Sequence, residues 1–495
     1  MGDEGLTGLG RRSALGVGGA AISGVATIGS VLIANHSLDA SELGTFMVAI
    51  SLVAMVQGLG SLGTDGGLQY FVPATTAVEA QSLVRRVAQP VLVLGVLAAV
   101  AFWVGAPWLA TLVGDQGDDG AQRVVRAIVW VAPFAALNEL VFGALRSCDR
   151  ILEMVVLDRC VRPIAQVLTM MVVALLGGSA TALTVAWAGP IALAVVAGVV
   201  LLARPSTFGR VGGESPSVGT GEFWAYTSPR ALARVAQVLT QRLDVILLAA
   251  IGTVADAGVY GTVSRCMIAG VFVATAVQQT VQPRLRRLVV AGDMGSVKQM
   301  YGATTTWLVL STWPVYLVLA IFAPVVLEVF GPGVVRGQWA LSILCSTMLV
   351  ASACGLVDVV LLMVGRSWAS TIIVFVALAA NVALNLILIP VWGLNGSAVA
   401  WSVSILITNL IPLSLTSRLG LHPWGGPLSV AILTSIGCIA VPLLVLRLAV
   451  GAGTVSLLVG AAIGGGAYSA AVWRGRRMLL LDHFAEDVRR GVHQR

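Results

Sequence analysis

The sequence predicts an all-α integral membrane protein of about fourteen transmembrane helices, and three observations lead to it. Of 495 residues, 57% are hydrophobic and only 11% charged, which is too little polar surface to cover a water-soluble globule. Apolar runs of roughly 20 residues, the length that spans about 30 Å of hydrocarbon, recur from Ser13 to Trp473. Basic residues crowd alternate loops, as they do when cytoplasmic loops retain Arg and Lys during insertion.

The first run, 13–34, is Gly-rich and follows Arg11 and Arg12. A twin arginine before an apolar run imitates an export signal, but this run is long enough to span and has no convincing cleavage site, so it counts as helix one. Helix two, 43–66, follows the turn with Asp39 and Glu42. Helix three, 88–113, starts after Arg85 and Arg86 and ends at Asp115, Asp118 and Asp119. Helix four, 123–145, leads into Arg146 and Arg150; helix five, 157–177, ends at Gly178; helix six, 182–203, ends at Arg204 and Arg210.

Helix seven, 223–250, opens after the Gly-rich stretch Gly212 to Gly221 and closes near Val254. Helix eight, 257–282, runs into Arg284, Arg286, Arg287 and Lys298. Helices nine to fourteen are 303–330, 337–363, 367–390, 396–415, 427–448 and 451–473. Their turns alternate between Gly331, Gly393 and Gly451 on one side and Arg366, Arg418 and the Arg474, Arg476, Arg477 tail on the other. The arginine-rich side is read as the cytoplasm of a cytoplasmic membrane, with both termini inside. Arg123, Arg126, Arg336 and Arg447 are the exceptions. This asymmetry largely explains the net charge of +7, and no nucleic-acid partner is needed. Arg284 to Arg287 would suit lipid headgroups or a cytoplasmic partner, although setting topology is role enough.

Several chemistries are excluded by missing motifs. The six cysteines, at 148, 160, 266, 345, 354 and 438, show no CxxC spacing. No GxxxxGK[ST] phosphate loop and no HExxH occurs, and the histidines at 36, 422, 483 and 493 lie in loops or the tail. The expectation is therefore a protein without cofactor or metal that is not an enzyme.

An internal repeat is visible. Ser41-Glu-Leu-Gly-Thr-Phe46 aligns with Asp256-Ala-Gly-Val-Tyr260, placing Glu42 on Asp256, Gly44 on Gly258 and Phe46 on Tyr260, at an offset of 214 residues. Val185-Ala186-Trp187 aligns with Val399-Ala400-Trp401 at the same offset. Six helices per copy is an even number, so the copies should relate by a pseudo-two-fold axis along the membrane normal. The expected domains are a lobe 1–210 with helices one to six, a flexible cytoplasmic linker 211–222, and a lobe 223–418 with helices seven to twelve. Two unpartnered helices follow over 419–473, then a basic amphipathic tail 474–495 suited to the inner membrane surface.

Charges inside an apolar helix cost a few kcal/mol unless they face a cavity or a partner. They gather in helix seven, where Arg230, Arg234, Gln237, Gln241 and Asp244 fall within an arc of roughly 80° over about 21 Å of rise. Arg offers a planar fork of donors to phosphate oxygens and glutamine amides suit sugar hydroxyls, so the stripe reads as a track for an anionic, sugar-bearing headgroup. The plainer reading has Arg230 and Arg234 snorkelling to the interface, with Asp244 neutralising Arg242. Arg265 in helix eight lies too deep to snorkel and reads as a phosphate-binding residue or a partner of Asp244. Ser23, Thr27 and Ser30 share a face of helix one, either toward substrate or bonding their own backbone. Cation coupling requires a carboxylate reachable from one side at a time. Glu139, Asp65, Asp358 and Asp244 are the candidates, against interfacial or ion-paired roles. Asn381 and Asn385 share a face of helix eleven, where hydrogen bonding between helices is the expected role.

Arg242-Leu-Asp-Val-Ile-Leu-Leu, Ala257-Gly-Val-Tyr260 and Pro283-Arg-Leu285 resemble the centre of Wzx-type polysaccharide flippases of the multidrug/oligosaccharidyl-lipid/polysaccharide (MOP) superfamily. Asn381-Val-Ala-Leu-Asn385, Ile389-Pro-Val-Trp-Gly393 and Gly396-Ser-Ala-Val-Ala400 resemble the family's C-terminal block. The resemblance covers roughly 13–415. It implies a fourteen-helix, two-lobed MATE-like fold with a central cavity and alternating access. The cargo implied is a polyprenyl-linked oligosaccharide, with membrane lipids, glycosyltransferases or a polymerase of the same pathway as partners and H+ or Na+ as coupling ion. A cation-coupled drug exporter of the same superfamily is the alternative and would require a cavity dominated by carboxylates. A membrane glycosyltransferase or polymerase would require catalytic acids on a sizeable external loop, and the external loops are short.

Overall fold

The computed structural model describes residues 4–113, 119–208, 218–267 and 288–476, a few positions between 270 and 285, and Met478. For residues 4–17, 112–113, 229–230, 233 and 367 it describes the backbone alone. The Arg284, Arg286 and Arg287 cluster, most of the 211–222 linker and almost all of the tail lie outside the described residues.

The described residues form helices and no strand. In hydrocarbon every backbone N–H and C=O must be satisfied inside the segment itself, which a helix does and an open strand does not. In chain order the helices are α1 Glu4–Ser37, α2 Ala40–Gly60, α3 Thr64–Phe71, α4 Ala77–Val113, α5 Asp119–Ala127 and α6 Ala132–Ser147. After a π-helical turn, Val155–Val161, come α7 Arg162–Leu175, α8 Ala180–Ala203, α9 Thr220–Ile251 and α10 Val254–Cys266. Then follow α11 Met294–Ile321, α12 Gln338–Cys354, α13 Val357–Met363, α14 Ser367–Trp392, α15 Leu394–Ser417, α16 Gly426–Ser435, α17 Val441–Val450 and α18 Thr454–Arg474.

Eleven membrane-length apolar spans occur among the described residues. The other three of the expected fourteen fall where hydropathy alone is blunted. One is broken by the π turn and leaves only the 14 residues of α7 as regular helix. Another is α9, a 32-residue helix diluted by its own polar residues. The third, expected over 257–282, is described as continuous helix only in α10, which ends at Cys266.

The chain divides into two compact units. The first comprises Gly18–Gly261 and Asn385–Leu394. Its centre is α2, whose residues from Leu43 to Val53 are all buried. Asp39 caps α2, its carboxylate accepting from the Ser41 and Glu42 amides at 2.9 and 2.8 Å. The Ser51 hydroxyl donates to the Met47 carbonyl at 2.8 Å, the local bond that hides a hydroxyl in an apolar helix. On the rim, α4 exposes Val93, Leu97, Val100 and Trp103, a surface suited to lipid. The α9 helix packs in this unit against the glycine-bearing faces of α2 and α3. A Cβ on Gly58 would stand 2.3 Å from Val238, and one on Gly67 2.5 Å from the Thr227 hydroxyl.

The second unit holds Thr262–Leu384, Asn395–Arg495 and Met1–Val17. One core cluster joins Val309, Trp313 and Phe322 to Leu428 and Leu443. Here the last two spans pack on α11, with the Tyr468 hydroxyl donating to the Leu310 carbonyl at 2.7 Å. A second cluster surrounds Tyr301, whose hydroxyl donates to the Cys354 carbonyl at 2.7 Å where α12 ends. The next residue, Gly355, takes φ +68, and a Cβ there would fall 2.0 Å from the Thr305 hydroxyl, so both backbone and space require glycine.

Candidate functional site

Helical periodicity alone puts five polar residues of α9 on one arc, but packing divides them. Arg234, Gln237 and Gln241 are exposed on the surface of the first unit. The Arg234 guanidinium donates to the Gln237 amide oxygen at 3.4 Å, a loose contact that leaves most of its donors available. Arg230 is helical, and its side chain lies outside the described residues.

Asp244 is set apart, 2% exposed. Its carboxylate accepts from the Tyr260 hydroxyl at 3.2 Å and from the Asn385 amide at 3.0 Å. A buried carboxylate needs donors to offset lost hydration, and here α10 and the end of α14 supply them. Asp244 thus ties three helices together. Arg242, half-buried, leaves α9 on another face.

The exposed run reaches a cluster of ionisable groups within the same unit. The charged groups in electrostatic range of Glu139 on α6 are Asp158, Arg234, Asp65 and Arg146. Glycines make the gathering possible. Gly63, at φ +68, turns the chain from α2 into α3 and sits against the backbone of Ala231 on α9. Gly143, one turn beyond Glu139, leaves the room that lets the Asp65 Cα approach to 3.0 Å of where a Cβ would stand. Asp158, on the π turn, pairs with Arg162 at 3.0 Å. Glu139 thus has charges of both signs in range, and opposite charges near one another lower the cost of keeping each within the membrane.

The structure therefore brings together Arg234, Glu139 and Asp65, three residues that the sequence offered under separate roles. Ser23 and Thr27 are half-buried on α1, and the Thr27 hydroxyl is spent on the Ser23 carbonyl at 2.8 Å. Arg265, 7% exposed on α10, and Asp358, exposed in the first turn of α13, belong to the second unit. Asp358 lies in electrostatic range of the Tyr301 hydroxyl. Sequence reasoning passed over Asp158 and Arg162, which an i, i+4 acid–base pair at the start of a membrane span would have flagged. It also passed over Tyr260 as the donor to Asp244. Among the described residues, no group of three His, Cys, Asp or Glu side chains is arranged to hold a metal.

A family model described as "Polysaccharide biosynthesis protein" matches residues 20–332, about two thirds of the chain. Among solved structures, the chain is similar to one described as "Lipid II flippase MurJ, inward closed conformation". The TM-score is 0.72 at 12% identity, covering 94% of this chain and 99% of that one. It is also similar to an inward-facing multidrug resistance MATE family transporter of the MOP superfamily, with TM-score 0.63 at 15% identity over 81% of this chain and 96% of the other. A MOP superfamily transporter from Pyrococcus furiosus, described by a binding pocket of reverse polarity, aligns with TM-score 0.54 at 15% identity over 83% and 94%. No curated protein sequence matches the chain. At these identities the structural likeness establishes a shared fold.

Proposed function

The chain belongs to the polysaccharide biosynthesis protein family and has the fold of MOP-superfamily transporters, and from that premise we propose that it is a lipid-linked oligosaccharide flippase. The cargo is a polyprenyl-(pyro)phosphate-linked oligosaccharide, carried from the inner to the outer leaflet of the cytoplasmic membrane by alternating access, with both termini inside. The observation that supports this best is the exposed run Arg234, Gln237 and Gln241 beside Glu139 and Asp65. Arg234 offers the fork that phosphate oxygens take, and the two glutamines offer neutral donors and acceptors at the spacing of successive helical turns, where sugar hydroxyls would lie. The MurJ neighbour is described as a lipid II flippase, and that description supports a lipid-borne cargo.

The mechanism needs no covalent step. The headgroup enters a polar cavity, the protein changes its open side, and the lipid tail remains in hydrocarbon throughout. Glycosyltransferases or a polymerase of the same pathway supply the cargo on one side and consume it on the other.

In a host depleted of the protein, lipid-linked oligosaccharide facing the cytoplasm is expected to accumulate, measured by extraction after an external glycosidase has trimmed the outward-facing fraction. An unchanged pool and orientation would refute the reading. The carboxylates at 65, 139 and 158 favour one other cargo class, an organic cation. Altered dye efflux with an unchanged lipid pool would select it.

Coupling is assigned to Glu139, with Asp65 and Asp358 as the other carboxylates considered. Glu139 is half-buried among both signs of charge, whereas Asp244 is sealed by two donors. Glu139→Gln keeps the shape and removes the titratable charge. Flipping in vesicles is then expected to stop responding to an imposed H+ or Na+ gradient, while exchange without a gradient persists. A full gradient response in this variant moves the coupling elsewhere.

A further inference from the structure

The first unit carries a second polar feature, near the start of α4. Gln81, Arg85 and Gln89 follow one another at every fourth residue near the start of α4, so they form a single polar line. They edge a cleft of about 290 Å³, near the lower end for small-ligand pockets. Its remaining walls are aliphatic, with Leu140 and Val141 from α6 and Val199 and Leu202 from α8, and Phe208 closes one end. None of the lining residues is acidic.

Arg85 differs from its neighbours. Arg86 is paired with Glu79, Arg150 with Glu153 at 3.0 Å and Arg162 with Asp158 at 3.0 Å. Among the described residues Arg85 forms no ion pair. The floor beneath it is fixed, since the Arg150 guanidinium also donates to the Ser206 carbonyl at 2.7 Å and so holds the segment that carries Phe208. An unpaired guanidinium at the mouth of an aliphatic cleft combines the two halves of a phospholipid site, a cation for the headgroup phosphate and a trough for an acyl chain.

We propose that this cleft binds an anionic phospholipid of the leaflet that borders the start of α4, with Arg85 on the phosphate, Gln81 and Gln89 on the glycerol and headgroup oxygens, and one acyl chain along Leu140, Val141 and Val199. The site is separate from the transport site and does not depend on what the protein transports.

Native mass spectrometry of the purified full-length protein, titrated with phosphatidylglycerol or phosphatidylethanolamine, tests it. The wild type is expected to prefer phosphatidylglycerol about fivefold, the effect of one basic residue at an anionic lipid. Arg85→Gln removes the preference, Arg85→Lys keeps it, and Arg418→Gln, an exposed arginine of the second unit, leaves it unchanged. Val199→Trp fills the trough and lowers binding with Arg85 intact. Equal binding of the two lipids by wild type overturns the proposal, as does an equal loss in Arg85→Gln and Arg418→Gln, or displacement of phosphatidylglycerol by equimolar lipid-linked diphosphate. If Arg85→Gln fails to fold, Val199→Trp decides, and undiminished phosphatidylglycerol binding there overturns the site.

Discussion

Replacing Arg234 with alanine is expected to lower flipping by about 10- to 100-fold while leaving membrane insertion and the folded yield at wild-type levels. A hydrogen bond to a charged group contributes about 1.5–3 kcal/mol, and removing it from a cargo phosphate lowers affinity or transport by that range. Arg234 is exposed and makes one long contact, to Gln237, so its loss leaves no cavity in the core. Arg234→Lys keeps the charge and loses the fork, and is expected to fall between the two. Gln237→Ala removes one neutral contact and is expected to cost about fivefold. Transport of fluorescent lipid-linked oligosaccharide in everted vesicles measures all three. Wild-type flux in Arg234→Ala would place the cargo elsewhere. Arg265→Ala is expected to abolish flux too, but Arg265 is buried, so that variant reports packing together with binding.

The fold class was legible because a bilayer imposes it through length and hydropathy, and eleven spans are recovered on those grounds alone. What composition could not show was how the polar positions are shared out. The arc of α9 includes Asp244 as readily as Arg234, because periodicity reports angle and not the neighbouring helix. Tyr260 and Asn385 bury the one, and the surface leaves the other open. Glu139 and Asp65 were visible as rare charges in membrane helices. Their proximity was not, since it depends on Gly63 and Gly143 admitting close backbone approach, and a sequence displays those glycines without their contacts. The Asp158–Arg162 pair was present in the sequence at helical spacing. It lay at the edge of an apolar run whose regularity drew attention away from it, and it sits on a π turn that no hydropathy pattern announces.

Gly44→Ala is expected to cause the largest loss of stability of any single methyl addition in the first unit. A Cβ at Gly44 would stand 1.9 Å from the Val254 carbonyl oxygen and 2.6 Å from its carbonyl carbon. Both are backbone atoms at the start of α10 and cannot rotate aside, so α2 and α10 would have to separate. Overpacking of this kind costs about 1–3 kcal/mol where side chains can adjust, and a backbone clash belongs at or above the upper end. The contact is reciprocal, since a Cβ at Gly258 would meet the Gly44 amide at 2.8 Å. The 214-residue offset in the sequence aligns these two glycines, and Phe46 and Tyr260, two residues beyond each, are both buried. Gly66, on α3, has nothing within 4 Å of a Cβ and provides the control. Gly66→Ala is expected to melt at or slightly above the wild type, because alanine favours helix over glycine by about 1 kcal/mol. Thermal unfolding in detergent, followed by the fluorescence of a thiol-reactive dye, separates the two. Coincident melting of Gly44→Ala and Gly66→Ala would mean that the helices yield at the crossing without cost, and close packing there would not be what holds α2 against α10.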